Sequence, residues 1–164
     1  MEIRDYRADD YDQLLPLMKA FKNEECSYDT DKCVVGLTTD EAAVKYMAQI
    51  LKDMKECKGY FYIAEDDQEI VGFVMGIVGE FEDLDPFAVL THVGDKVGWI
   101  GIIYVTPDHR GKGISTQLIE KAKKYLKENG CETVKLQVLT ENPAVNVYKK
   151  IGFRSNNEEM LLDL

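Results

Sequence analysis

Apolar and polar positions change period several times along this chain, and each change predicts an element. In MEIRDYR, Ile3 and Tyr6 stand among charged residues and predict a short strand. Leu14, Leu15, Leu17, Met18 and Phe21 recur at helical spacing, so a helix follows Ala8-Asp9-Asp10, with Asp9 as its cap. Pro16 falls inside that helix, where the missing N–H predicts a kink or a break. Residues 23–37 hold no period and predict a loop. Ala43, Tyr46, Met47, Ile50, Leu51 and Met54 form the stripe of a second helix, capped by Thr38 or Thr39. It runs to about Cys57 and is stopped by Gly59. GYFYIAE and IVGFVMGIVGE predict an antiparallel hairpin, joined by Asp66-Asp67-Gln68-Glu69 in a loop longer than two residues. Gly72, Gly76 and Gly79 within the second strand predict a bulge or a close backbone approach. Residues 80–96 lose the period again and predict a loop or a long hairpin connection.

The pattern sharpens in the second half. Residues 98–105 are a near-continuous apolar run with Ile100, Ile102, Ile103 and Val105, a buried strand that Thr106 and Pro107 end. A turn over 109–115 carries Gly111 and Gly113, and a helix opens near Ser115 or Thr116, both good caps. Leu118, Ile119, Ala122, Tyr125 and Leu126 lie on one face of this helix, and Gly130 stops it. Residues 133–138 alternate as a strand, 143–151 form a short helix ended by Gly152, and Phe153 begins a last extended segment. The strand, helix, strand unit over 99–138 predicts a parallel pair joined by a right-handed crossover. The whole reads as an α/β fold: a mixed, mostly antiparallel sheet with helices on both faces. No repeat, low-complexity tract or linker divides residues 1–164, which predicts a single domain.

Composition excludes some functions and leaves others. At 164 residues, with 45% hydrophobic and 30% charged positions, the chain suits a globular protein with a sizeable core. No apolar run approaches the roughly 20 residues that cross a bilayer, and charge from Glu2 onward argues against a secretory leader. The four cysteines make no CxxC pair, and with two histidines there is no metal-ligand spacing, so no metal is expected. Free thiols point to a reducing, cytoplasmic setting. A formal net charge of -10 argues against nucleic acid and anionic membranes as partners and is compatible with a cationic substrate.

Chemistry concentrates in the turn after the buried strand. A loop feeding a helix N-terminus presents free backbone N–H groups and the positive end of the helix dipole, which makes an anion site. Arg110 and Lys112 add two cations at its rim. In 80–96, Glu80, Glu82, Asp83 and Asp85 alternate with Phe81 and Phe87, either a solvated acidic turn or one wall of a pocket for an amine.

Several features now combine: a strand ending in Val105-Thr106-Pro107, then Arg110-Gly111-Lys112-Gly113-Ile114-Ser115, a helix, a strand, and Glu141-Asn142-Pro143-Ala144 before Tyr148-Lys149-Lys150-Ile151-Gly152-Phe153. This combination resembles the GNAT superfamily of N-acetyltransferases. It covers the order of elements over nearly the whole chain and is specific from about Trp99 to Phe153. Arg110, Gly113 and Ser115 stand at the three positions of that family's (R/Q)xxGx(G/A) loop, with Ser115 where Gly or Ala is usual. The asparagine-to-tyrosine spacing is one residue shorter than the family's commonest form.

The resemblance implies that the N–H groups of residues 110–116, from Arg110, Gly111, Lys112, Gly113, Ile114, Ser115 and Thr116, cradle the pyrophosphate of acetyl-CoA. It implies that the backbone of Ile103, Tyr104 and Val105 pairs with pantetheine like an added strand, with Asn142 a further contact. The thioester is then expected where the 99–105 strand splays from 133–138, with Val105 N–H stabilising the oxyanion. Tyr148 is the expected general acid for the leaving thiolate. The base is left open among Glu80, Glu82 and Asp83, with His92 and His109 weaker candidates. The resulting expectation is acetyl transfer from acetyl-CoA to a primary amine, with a small cationic amine as the acceptor. The alternatives are an acetyltransferase for protein N-termini or lysines, and a non-catalytic acyl-CoA module. Neither GxGxxG nor GxxxxGK[ST] occurs in the setting a generic nucleotide site needs. Dimers are frequent among such proteins, so a homodimer is a further expectation.

Overall fold

The computed structural model describes residues 1–31, 34–80, 96–156, 160 and 162. Strand β1 (Glu2–Asp5) leads through a single 3-10 turn into helices α1 (Tyr11–Ser27) and α2 (Asp40–Glu56). Strands β2 (Gly59–Asp66), β3 (Glu69–Glu80) and β4 (Lys96–Val105) follow, then α3 (Ile114–Glu128), β5 (Thr133–Lys135) and α4 (Ala144–Ile151). The sheet order is β1-β2-β3-β4-β5. All neighbours are antiparallel except β4 and β5, which are parallel. This is the mixed, mostly antiparallel α/β sheet that the pattern predicts.

Period-2 alternation splits the core into two layers. On one face Phe61, Ile63, Phe73 and Met75 pack against Leu14 and Met18 of α1 and Met47 of α2. On the other, Tyr60, Tyr62, Val74 and Val78 meet Leu118, Ile119, Ala122 and Leu126 of α3. In β4 the alternation breaks: Ile100 belongs to the α3 layer, while Ile102 and Tyr104 belong to the α1–α2 layer. Residues two apart should share a face, so one residue is extra. The register jumps from Ile102 opposite Met75 to Ile100 opposite Gly76, leaving Gly101 unpaired as a bulge.

Several boundaries differ from expectation, each for a local reason. Helix α1 runs unbroken through Pro16 and on to Ser27. Leu14 and Met18, fully buried on either side of Pro16, outweigh one lost hydrogen bond. The β2–β3 loop has only two residues, Asp67 and Gln68, both at positive φ (47° and 68°), a left-handed pair that matches strand twist. Gly59 does not cap α2, which ends at Glu56. It opens β2, where a Cβ would stand 2.7 Å from Met54 Cα. Thr39 does cap α2, its Oγ1 accepting from Ala42 N–H at 3.1 Å. Helix α3 begins at Ile114 from a left-handed Gly113, one or two residues before the expected Ser115 or Thr116. Asp10, not Asp9, is the acid that closes the first turn, accepting from Arg7 N–H at 2.7 Å. Beyond Phe153 the described residues form no strand. Among the described residues, no helix is long and apolar enough to cross a membrane.

Candidate active site

A cleft opens where β4 and β5 part. Their pairing covers only Val97–Thr133, Gly98–Val134 and Trp99–Lys135. From residue 136 the chain leaves the sheet, so β5 is half the expected length and, among the described residues, the rest of β4 has no strand on that side. Thr106 N–H donates back to Val71 O at 2.9 Å. Successive N–H groups of an extended strand alternate sides, so that of Val105 faces the open edge. The bulge at Gly101 increases the divergence of the strands. The cleft holds a cavity of about 290 Å³, walled by β4, by 136–139, by the starts of α3 and α4, and by the end of α1.

The turn after β4 closes one end of this cleft. Gly111 (φ 76°) and Gly113 (φ 77°) are both left-handed, a conformation that costs other residues about 1–2 kcal/mol. A Cβ on either would meet nothing within 4 Å, so backbone conformation rather than crowding sets their identity, and the space in front of the loop is open. Gly113 caps α3 without a side chain, and the first intrahelical bond, Gln117 N–H to Gly113 O, is 3.2 Å long. The N–H groups of Ile114, Ser115 and Thr116 therefore have no intrahelical acceptor. His109 stays within the turn, its Nδ1 3.0 Å from Thr106 Oγ1.

Arg110 does not point freely into the turn. Its two terminal nitrogens donate to the carboxylate of Glu24, at 2.8 and 2.6 Å, and its Nε donates to Val105 O at 2.9 Å. Its guanidinium also lies 5.7 Å from the Tyr104 ring centre. The Arg110 contact holds the Glu24 carboxyl below the usual range, against the opposing effect of burial.

Tyr148 reaches the cleft from α4, with Phe153 packed edge-on 6.0 Å away. Burial pushes its hydroxyl up to about 12, and the charge of Glu25 adds to the shift. Asn142 also lines the cleft, and its Oδ1 accepts from Ala144 N–H at 2.9 Å at the start of α4. Ile103, Tyr104, Val105, Arg110, Gly111, Gly113, Ile114 and Ser115 all border the same cleft. Lys112 and Thr116 lie on the turn and α3 without bordering it. The candidate bases Glu82, Asp83 and His92 lie outside the described residues, as does the side chain of Glu80.

Glu24, Glu25 and Tyr28 line the cleft with Phe21, within the 20–40 stretch expected to supply acceptor contacts, although no motif singled them out. They fall where residues 23–37 predict a loop, yet α1 continues there. The signal was present: the stripe Leu14, Met18, Phe21 continues at helical spacing into Glu25 and Tyr28, with polar residues replacing apolar ones. Among the described residues no group of His, Cys, Asp and Glu side chains could hold a metal ion.

The acetyltransferase (GNAT) family model matches residues 16–153, which include every element of the cleft. The chain belongs to the GNAT family. An N-alpha-acetyltransferase of Sulfurisphaera tokodaii is 36% identical over 107 residues, 63% of this GNAT chain and 62% of the relative. The chain spans less than two thirds of the length of that relative and of two uncharacterised N-acetyltransferases it also matches. Among solved structures, a tetramutant protein from Bacillus halodurans superposes with a TM-score of 0.80 at 21% identity, covering both chains fully. An aminoglycoside N-acetyltransferase, AAC(6')-Iy, solved with CoA, superposes with a TM-score of 0.71 at 18% identity, over 99% of this chain and 93% of the other. At these identities the likeness is one of fold.

Proposed function

We propose that this GNAT chain transfers the acetyl group of acetyl-CoA directly to a primary amine. The reading is carried by one arrangement: an unpaired edge of β4 that ends in the left-handed turn, faced by Tyr148 across the cleft. The diphosphate sits against the N–H groups of the turn and the start of α3, where the helix dipole favours an anion. Pantetheine lies along β4 as an added strand, pairing with Ile103 and Val105. The neutral amine attacks the thioester carbonyl carbon. Its oxygen gains charge and receives the Val105 N–H. The C–S bond breaks, the thiolate takes the Tyr148 proton, and the amine loses its extra proton to a base. The space in front of Gly111 and Gly113 supports the fit of a phosphate group.

For the acceptor, the net charge of -10 and the Glu25 carboxylate in the cleft favour a small cationic amine. The name of the Sulfurisphaera tokodaii relative favours a second reading, a protein N-terminus. Incubation with acetyl-CoA and a panel of polyamines, aminoglycosides, amino acids and peptides, followed by mass spectrometry, separates them. Acetylated small amines support the first reading, and products only on peptide N-termini replace it with the second. Acetyl-CoA binding without any product overturns transfer in favour of a non-catalytic module.

A further inference from the structure

We propose that the Arg110 side chain is a strut rather than a phosphate ligand, and that Glu24 is the positioning residue that holds it. The inference rests on acetyl-CoA being the ligand of the turn. Three of the five N–H groups of Arg110 are engaged, two on Glu24 and one on Val105 O, which leaves one on each terminal nitrogen. Tyr104 sits against the guanidinium. Glu24 is fixed in turn, since Tyr28 donates its hydroxyl to Glu24 Oε1 at 3.0 Å. A phosphate could gain the paired, bidentate edge of Arg110 only by displacing this carboxylate.

Charge points the same way. A paired Arg110 and Glu24 are neutral together and add little attraction for an anion. The turn is left to attract it through backbone N–H groups, the α3 dipole and Lys112. The pair is partly exposed, with side chains 43% and 26% accessible, and a lone surface ion pair of this kind is worth little. This one is bidentate and supported at both ends, the arrangement in which geometry is retained. It joins the end of β4, the first residue of the turn and the last helical turn of α1 across 86 residues of sequence. Phe21 and Glu25 on that part of α1, and Tyr28 at its C-cap, line the cleft with residues of α4. The strut therefore fixes the donor turn and this side of the cleft in one geometry.

The two roles predict opposite signs. If Glu24 only restrains a phosphate-binding arginine, Glu24→Gln frees Arg110 and tightens acetyl-CoA. If Arg110 is a strut, Glu24→Gln and Arg110→Gln each weaken acetyl-CoA by roughly tenfold, and the double variant is no worse than either alone. Titration calorimetry with acetyl-CoA measures this cycle, and Tyr28→Phe provides a milder variant whose smaller loss has the same direction. Amide hydrogen exchange on the unliganded chain gives an independent readout. Glu24→Gln should accelerate exchange at 111–116 while leaving β2 and β3 protected. Tighter binding in Glu24→Gln, additive losses, or unchanged exchange in the turn each overturn the strut. A wild-type chain that binds no acetyl-CoA overturns the functional reading instead, and the exchange experiment still decides the strut.

Discussion

Tyr148 places a proton donor in a half-dry position. Burial, aided by the Glu25 charge, moves its hydroxyl from its ordinary value near 10 up to about 12. The group is protonated at neutral pH and stays so well into the alkaline range, as a donor to a thiolate must be. Tyr148→Phe keeps the ring against Phe153 and removes only the hydroxyl. We expect kcat to fall by about 100-fold or more, while acetyl-CoA affinity changes little, measured by thiol release with an accepted amine and by calorimetry. Full turnover in this variant would remove Tyr148 from the chemistry. The pH profile adds a sign: because the folded value is raised, the donor is lost only as pH rises toward 12. A fall in rate between pH 7 and 9 must therefore come from another group.

The bulged strand β4 is the element that makes the cleft. Its extra residue, Gly101, turns Ile100 and Ile102 to opposite layers, and Tyr60 donates its hydroxyl to Trp99 O at 3.0 Å beside it. Gly76 makes room for this approach: a Cβ there would stand 1.8 Å from Trp99 O and 2.5 Å from the Tyr60 hydroxyl. Neither the strand carbonyl nor the buried tyrosine can yield. Gly76→Ala should cost about 3 kcal/mol or more, whereas Tyr60→Phe, which only deletes one hydrogen bond, should cost about 1 kcal/mol. Urea unfolding of the two variants checks the ranking, and an equal cost would place the strain elsewhere. This geometry was half legible. The glycines of β3 announced a close approach, and Gly76 makes it. Nothing local announced that the extra residue in β4 would be Gly101, because its apolar run reads the same with or without a bulge. The family resemblance implied that β4 and β5 splay apart, but not where: Thr133–Val138 alternates like a strand throughout, and only the partner strand decides where pairing stops. The turn was legible to the residue because positive φ demands glycine at 111 and 113. The Arg110–Glu24 contact was not, since it joins positions 86 residues apart and no periodicity spans that distance.

At the scale of the whole molecule, the sheet carries a helical layer on each face, so its free strand edges need protection by other means. Edge strand β1 is pinned by charge. Arg4 donates to both carboxylate oxygens of Asp10, at 2.8 and 2.7 Å, and to Glu65 of the neighbouring strand. Asp10 also accepts from Arg7 N–H, so one carboxylate closes the turn into α1 and anchors β1. Arg4 and Asp10 are both buried, 9% and 6% exposed; without Asp10, Arg4 keeps Glu65, and without Arg4, Asp10 keeps the Arg7 N–H. Removing one member of a buried pair costs about 3–5 kcal/mol when the other charge is left uncompensated, and the Glu65 contact that Arg4 keeps sets Asp10→Asn at the low end of that range. The Arg4 contact, opposed by burial, lowers the Asp10 carboxyl below its ordinary 3.8. A lowered folded value means that the unfolded chain takes up the proton first on acidification. The stability from Asp10 is then complete above about pH 4 and is lost as pH falls through the folded value. Asp10→Asn removes this contribution at every pH. In urea titrations, wild type should exceed Asp10→Asn by about 3 kcal/mol at pH 7, and the gap should close as pH falls below 3.8. A gap that stayed constant to pH 2 would mean that shape, rather than the charge shared with Arg4, holds β1 against α1. Because β1 is the far edge from the cleft, the same variant should leave the exchange rates of the 111–116 turn unchanged at pH 7, which separates loss of the edge from loss of the site.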